Sequence, residues 1–204
     1  PCTGMEFRVV DDEDRPLPVG ETGELVVRRS GGDPQRGLVG AYLKDAEATA
    51  TAWRGGWFHT GDLVVAQADG SFRFVDRKKD IIRRSGQNIA ASEVEAALVE
   101  HPAVARAACI AAPDEMREEE VFACIVLKPG QAPSRQLAED IALRTLKRLA
   151  YFKAPGWIVF FDSLPLTATQ KLQKRSIFAA GADPRDHPEA HDLRPLKRPV
   201  QKAG

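Results

Sequence analysis

Apolar and polar positions alternate over short runs in the first third of the chain, then merge into longer apolar blocks. Residues 5–10 (MEFRVV), 24–28 (ELVVR), 63–66 (LVVA) and 71–75 (SFRFV) carry the alternation of half-buried strands. Phe58 marks a further short strand, and Gly20, Gly23 and the Asp69-Gly70 pair punctuate the series. Residues 11–14 (DDED) read as an acidic turn and residues 30–34 (SGGDP) as a loop. A short helix is predicted over 45–53, with Asp45 as its N-cap. Residues 1–76 are therefore predicted to be β-rich, as part of a barrel.

After Lys79 the pattern becomes mixed α/β. Ser92 and Glu95 have capping-box spacing, and Val94, Ala97 and Leu98 give the predicted helix its apolar face. Residues 104–111 and 121–127 are predicted strands separated by a polar loop over 113–120. A helix over 134–150 follows, with Ala138, Ile141, Ala142, Thr145, Leu146 and Leu149 at helical spacing. Residues 157–161 read as an apolar strand, 165–170 as a loop, and 174–179 as a short helix. Beyond Gly181 the chain is rich in Pro, His and charge without apolar period, which predicts an extended or poorly ordered tail. The fold class expected is α+β.

Composition narrows the function classes. The 204 residues hold 29 basic and 29 acidic side chains, so bulk charge argues for neither nucleic acid nor an anionic membrane as partner. At 43% hydrophobic the chain can bury a core, yet no apolar run is long enough to span a bilayer and no signal peptide opens it. Cys2, Cys109 and Cys124 have no metal-ligand spacing, and no metal site is expected. Cys109 and Cys124 sit in apolar runs, which fits buried reduced thiols and a cytoplasmic setting.

The candidate chemistry lies between Trp57 and Glu95. His59-Thr60-Gly61-Asp62 places an acid after a glycine, where a carboxylate can accept hydrogen bonds from the vicinal hydroxyls of a ligand. Asp76-Arg77-Lys78-Lys79-Asp80, followed by Arg83-Arg84-Ser85-Gly86, concentrates cations in a connection suited to phosphate. Together they suggest a nucleotide with its ribose on the acid. Taken alone, the same residues also fit an ordinary turn and a solvated charge run.

Their order adds to that. GELVVR (23–28), GWFHTGDL (56–63), DRKKDIIRRSGQNI (76–89), SEVEAAL (92–98) and PLTATQKLQK (165–174) resemble the C-terminal portion of the adenylate-forming superfamily, with its acyl- and aryl-CoA ligases, peptide-synthetase adenylation domains and luciferases. The likeness runs from about residue 5 to 178. It implies residues 1–78 as the last β-rich subdomain of a large AMP-binding domain, 79–180 as a mobile α/β lid domain, and 181–204 as a tail. The chain starts Pro-Cys-Thr and holds no Gly/Ser/Thr-rich phosphate loop, so a fragment of a longer enzyme, inactive by itself, is expected.

The resemblance implies ATP (with Mg2+ in the full enzyme), coenzyme A and a fatty or aromatic carboxylic acid as reactants. Lys171 matches the adenylation lysine, although Gln170 stands where a glycine often precedes it. Asp62 matches the ribose-binding acid, with Thr60 and Arg77 beside the nucleotide, and Lys79 matches the hinge between domains. Arg83, Ser85, Gly86 and Asn88 match positions that contact adenylate or CoA in plant coumarate–CoA ligases. Ser85 replaces a lysine there, for which Arg84 is the candidate substitute. His59 is expected to be structural rather than a general base. Two other readings stay open: a peptide-synthetase-type adenylation domain serving a carrier protein, and a non-catalytic interaction module.

Overall fold

A computed structural model describes residues 3–197; Cys2 and the last part of the predicted tail, 198–204, lie outside the described residues. The chain divides into two compact units, Pro1–Lys79 and Asp80–Gly204. Both are α+β or β in character, and three α-helices occur among the described residues.

The first unit is an antiparallel meander of β1 (Met5–Val10), β2 (Thr22–Arg29), β3 (Phe58–Ala66) and β4 (Phe72–Arg77), hydrogen-bonded in that order. The outer strands β1 and β4 leave this sheet open, so the predicted barrel is not closed within the described residues. Val10, Val26 and Trp57 form its small core, and the guanidinium groups of Arg8 and Arg28 lie 4.4 and 4.2 Å from the Trp57 ring. Helix α1 (Ala46–Ala52) starts at Asp45, whose side chain accepts a hydrogen bond from Ala48 N at 2.9 Å.

One expectation fails in this unit. HTGD is not a turn between separate strands; Phe58 to Ala66 is one strand. Val26 pairs with His59 and Glu24 with Leu63, so β3 carries two extra residues in a bulge over Thr60–Asp62. Gly61, at φ 71°, supplies the left-handed backbone that this bulge needs.

In the second unit, β8 (Glu118–Leu127) is the central strand. It pairs along its length with β7 (Val104–Asp114), in parallel with β9 (Trp157–Phe160), and through Arg84 and Glu118 with β5 (Ile81–Arg84). β6 (Gln87–Ala90) and β10 (His191–Asp192) complete the sheet. Both faces of β8 are covered. Val121, Ala123 and Ile125 pack with α2 (Ala91–Val99) and α3 (Arg135–Arg148), while Phe122 and Cys124 face a second cluster with Val159, Leu164 and Leu172. That explains the unbroken apolar run VFACIVL. Ser134 caps α3 by accepting from Leu137 N at 3.1 Å.

Three further expectations are corrected. The hairpin β7–β8 extends to Asp114 and Glu118, leaving three residues instead of a loop over 113–120. Helix α2 begins at Ala91 with Ala90 at the N-cap, so Ser92 lies inside the first turn and no capping box forms. Glu95 is drawn away instead: it accepts from Cys109 N at 2.7 Å and pairs with Lys174 Nζ at 2.7 Å. The described part of the tail is ordered by scattered contacts, such as His187 against Phe161 and Arg194 with Asp114. His191 and Asp192 pair with β9, Leu193 is fully buried, and residues 194–197 form a 3-10 turn that ends on the buried Lys197. No helix of the described residues is long and apolar enough to cross a membrane.

Candidate functional site

In the first unit the register of β3 and β4 sets Asp62 directly opposite Arg77. Arg77 Nε lies 2.7 Å from Asp62 Oδ1, and Arg77 Nη1 donates to Thr60 O at 3.3 Å. The Asp62 side chain stays 28% exposed, so a ligand can reach it. Thr60 is fixed from both sides: its hydroxyl donates to Leu25 O at 2.7 Å and accepts from Asp62 N at 3.1 Å. Thr60 and Asp62 are thus neighbours on a bulge that fixes their backbone, with Arg77 opposite them on β4.

What holds this bulge is a residue that the motif reading left without a role. Glu24, only 4% exposed, accepts from Gly61 N at 3.2 Å with one oxygen. Its other oxygen meets Lys78 Nζ at 3.0 Å and Arg54 Nη2 at 3.4 Å. His59 Nδ1 lies 3.3 Å from the same oxygen without the alignment of a hydrogen bond. Burial alone would raise the Glu24 carboxyl, but the Lys78 ammonium and the His59 ring outweigh it and hold the group below the usual carboxylate range. His59 is buried within this cluster, which suits a structural role. Lys78 also meets Asp12 at 2.8 Å, so the first cation of the KKD run is committed to carboxylates. Nor is DRKKD wholly a loop: Asp76 and Arg77 end β4, and Lys78–Asp80 is one 3-10 turn that leaves Lys79 exposed.

In the second unit, Arg83, Ser85, Gly86 and Asn88 share the hairpin of β5 and β6. Arg84 pairs with Gln87 and Arg83 with Asn88, so Ser85 and Gly86 form the two-residue loop. Both have positive φ, 49° and 73°, the geometry of a type I′ turn, for which glycine at the second position is favoured. Arg83 N donates to Glu119 Oε2 at 2.6 Å and Ser85 N to Arg117 O at 2.9 Å, tying the hairpin to β8 and to the residue before it. Arg84 is not the free cation that sequence suggested. It is buried, with Nε 2.9 Å from Glu120. Beside the hairpin lies a cavity of about 570 Å3, with Ser85, Arg117, Tyr151 and Arg194 on its wall.

Lys171 stands on a different turn of this unit. Thr167 N donates to Lys171 O at 2.7 Å and Lys171 N to Thr167 Oγ1 at 3.0 Å, while Leu166 and Leu172 form a bridge behind them. Gln170 adopts φ 63°, the left-handed conformation that glycine takes freely, so the departure from Gly leaves the backbone path intact at the expense of local strain. The Lys171 side chain is exposed. Three residues on, half-buried Lys174 anchors this segment to Glu95 on α2. Among the described residues no group of three or more His, Cys, Asp or Glu could hold a metal ion.

An acid–arginine pair thus lies on a bulged sheet, and a lysine-bearing turn belongs to the α/β unit that follows it along the chain. Residues 93–171 match the family model described as the AMP-binding enzyme C-terminal domain. A probable CoA ligase of Humulus lupulus is 42% identical over 153 residues, 74% of this chain and 26% of that protein. The 4-hydroxybutyrate–CoA ligase 1 of Metallosphaera sedula is 37% identical over 83% of this chain and 30% of its own length. Among solved structures, an anthranilate CoA ligase in complex with anthranoyl-AMP superposes with a TM-score of 0.71 at 35% identity, covering 84% of this chain and 32% of that one. The chain corresponds to the C-terminal portion of the adenylate-forming enzymes, with residues 93–171 as their C-terminal domain. It spans about 30% of the length of the curated relatives it matches.

Proposed function

We propose that this chain supplies the C-terminal part of an AMP-forming acid–thiol ligase. A carboxylate oxygen bonds to the α-phosphorus of ATP, the bond to the β-phosphate breaks, and pyrophosphate leaves. The coenzyme A thiol, giving up its proton, then attacks the acyl carbon; the bond to AMP breaks and a thioester forms. In this reading Asp62 accepts the ribose hydroxyls, with Thr60 and Arg77 shaping its surroundings. Lys171 bridges the two anions of the first step, favouring its transition state over the separated reactants. The Arg83–Asn88 hairpin serves the thiol step, with Gly86 at its turn and Ser85, Arg83 and Asn88 around it. Lys79 is the hinge that exchanges the two poses of a mobile C-terminal domain.

The observation that carries this reading is the direct opposition of Asp62 and Arg77, 2.7 Å apart on a bulge held by Glu24. Relatives named as CoA ligases support the choice of CoA over a carrier protein as acceptor. The acid is an aliphatic or aromatic carboxylate, and the setting is the cytoplasm, in keeping with the buried, reduced thiols of Cys109 and Cys124. Mg2+ enters as the companion of ATP, since the described residues offer it no ligand cluster.

The test is CoA-dependent AMP release across a panel of carboxylates, by a complete ligase carrying this chain and by the chain alone. The complete enzyme is expected to release AMP with at least one acid and the isolated chain with none. Pyrophosphate exchange by the isolated chain, or no nucleotide dependence of the complete protein, would overturn the assignment.

A further inference from the structure

We propose that Lys197 is a positioning residue for the thiol step, holding the 84–87 hairpin in place through Glu120 and Arg84. The inference rests on the assignment of that hairpin made above. Lys197 is 6% exposed, and its ammonium donates to Glu120 Oε1 at 2.6 Å, to Ala154 O at 2.6 Å and to Phe152 O at 3.4 Å. Glu120 is fully buried; its other oxygen accepts from Arg84 Nε at 2.9 Å, and Oε1 also accepts from Val121 N at 2.9 Å. Arg84 in turn closes the two-residue loop by pairing with Gln87. A continuous line of contacts therefore runs from the tail to the hairpin.

The surroundings are built for this carboxylate. A Cβ on Gly156 would come within 2.4 Å of Glu120 Cγ, so only glycine leaves space for the side chain to pass. The segment that delivers Lys197 is pinned by Leu193, fully buried, whose N–H donates to Gly156 O at 2.8 Å. Three buried charges are a poor way to gain stability, because desolvation offsets most of their attraction. Their order, cation–anion–cation, instead fixes one position for Arg84. Lys197 also lines the cavity beside the hairpin. Burial pushes its ammonium down to about 8 against the pull of Glu120, with Arg84 and Arg117 adding repulsion.

The test uses the complete ligase with Lys197→Met, which keeps the apolar stem and removes the ammonium, and Lys197→Arg, which keeps charge. Three quantities are read: hydrogen exchange at the amides of 84–87, pyrophosphate exchange, and thioester formation from supplied acyl-adenylate. Lys197→Met is expected to speed exchange at the hairpin and to lower the kcat of thioester formation about tenfold or more, as small misplacements do. Adenylation should stay within about twofold, and Lys197→Arg should recover most of the loss. An equal fall in both half-reactions, or unchanged hairpin exchange, overturns the proposal. Faster exchange with unchanged thioester formation overturns it through its premise, the role of the hairpin, and leaves the brace standing. If Lys197→Met does not fold, Lys197→Gln, a neutral side chain that retains an N–H donor, gives the same readings.

Discussion

Glu24→Gln keeps the shape of a buried side chain, removes its charge and turns one of its two acceptor oxygens into a donor. The amide oxygen can still accept from Gly61 N, now at 3.2 Å from Oε1, while the position facing Lys78 and Arg54 becomes an NH2 group that can accept from neither. Breaking a fully buried ion pair costs about 3–5 kcal/mol. Here the cations are about one-third exposed, 32% for Lys78 and 35% for Arg54, and each keeps a second carboxylate, Asp12 and Asp14. Solvent screening therefore reduces the expected loss to about 1–2 kcal/mol. Its sign with pH follows from the Glu24 carboxyl being held below its ordinary 4.5 when folded. The stabilisation is fully present above 4.5 and fades as pH falls through the folded value. Urea unfolding of the chain, followed by Trp53 and Trp57 fluorescence with Trp157→Phe in both proteins, reads this directly. The wild type should exceed the variant at pH 7, and the gap should narrow as pH falls below 4.5. Equal stability at pH 7, or a gap that does not change with pH, would refute the role of Glu24.

Further outcomes are expected elsewhere. In the complete ligase, Lys171→Ala should lower adenylation by about two to three orders of magnitude while sparing thioester formation from supplied acyl-adenylate; equal loss of both steps argues against the bridging role. Lys79→Pro should do the reverse, sparing adenylation and stopping the thiol step, as measured by the same two assays. Gln170→Gly should retain adenylation and relieve about 1 kcal/mol of left-handed strain, offset in part by the freer unfolded chain; a tenfold loss of activity would show that the side chain matters. Cys109 and Cys124 should resist iodoacetamide at pH 8 until the chain is unfolded, since both are buried and burial pushes the Cys124 thiol far up; rapid labelling read by mass spectrometry would contradict this.

Local chemistry was legible in the sequence wherever a residue acts on its own neighbourhood. Asp45 and Ser134 cap the helices that follow them, and the apolar run of β8 reads as a strand covered on both faces. Motif order also carried Asp62, Arg77 and Lys171 to defined positions. Residues recruited across the fold were not legible. Glu95 has capping-box spacing, but Cys109 N and Lys174 claim its carboxylate. HTGD looks like a turn because the extra residues of a bulge show only against the partner strand, and Glu24, 37 residues from Gly61, leaves no local trace of its grip on that bulge. The tail lacks periodicity because scattered contacts order it, without an amphipathic face: buried Leu193 and Lys197, His187 against Phe161 and Phe178, and Arg194 with Asp114.

The layout of the second unit bears on why the proposed reaction needs two poses. β9 runs parallel to β8 and leaves the sheet beside Ile125, whereas the hairpin is attached at Glu118. Seven residues separate these points along β8, about 23 Å at the usual strand rise. The turn carrying Lys171 follows β9, and its flanking Leu164 and Leu172 pack with Phe122 and Cys124; Ile82 and Ile89 of the hairpin strands pack with the cluster on the opposite face. Lysine turn and hairpin are thus fixed to different parts of one packed body. In the proposed reaction, such a body presents them in turn to an acyl group held beside a ribose on Asp62. Under the proposed function, adenylation and thiol transfer therefore compete for the same place, and the exposed turn at Lys79 is where the chain can exchange one for the other.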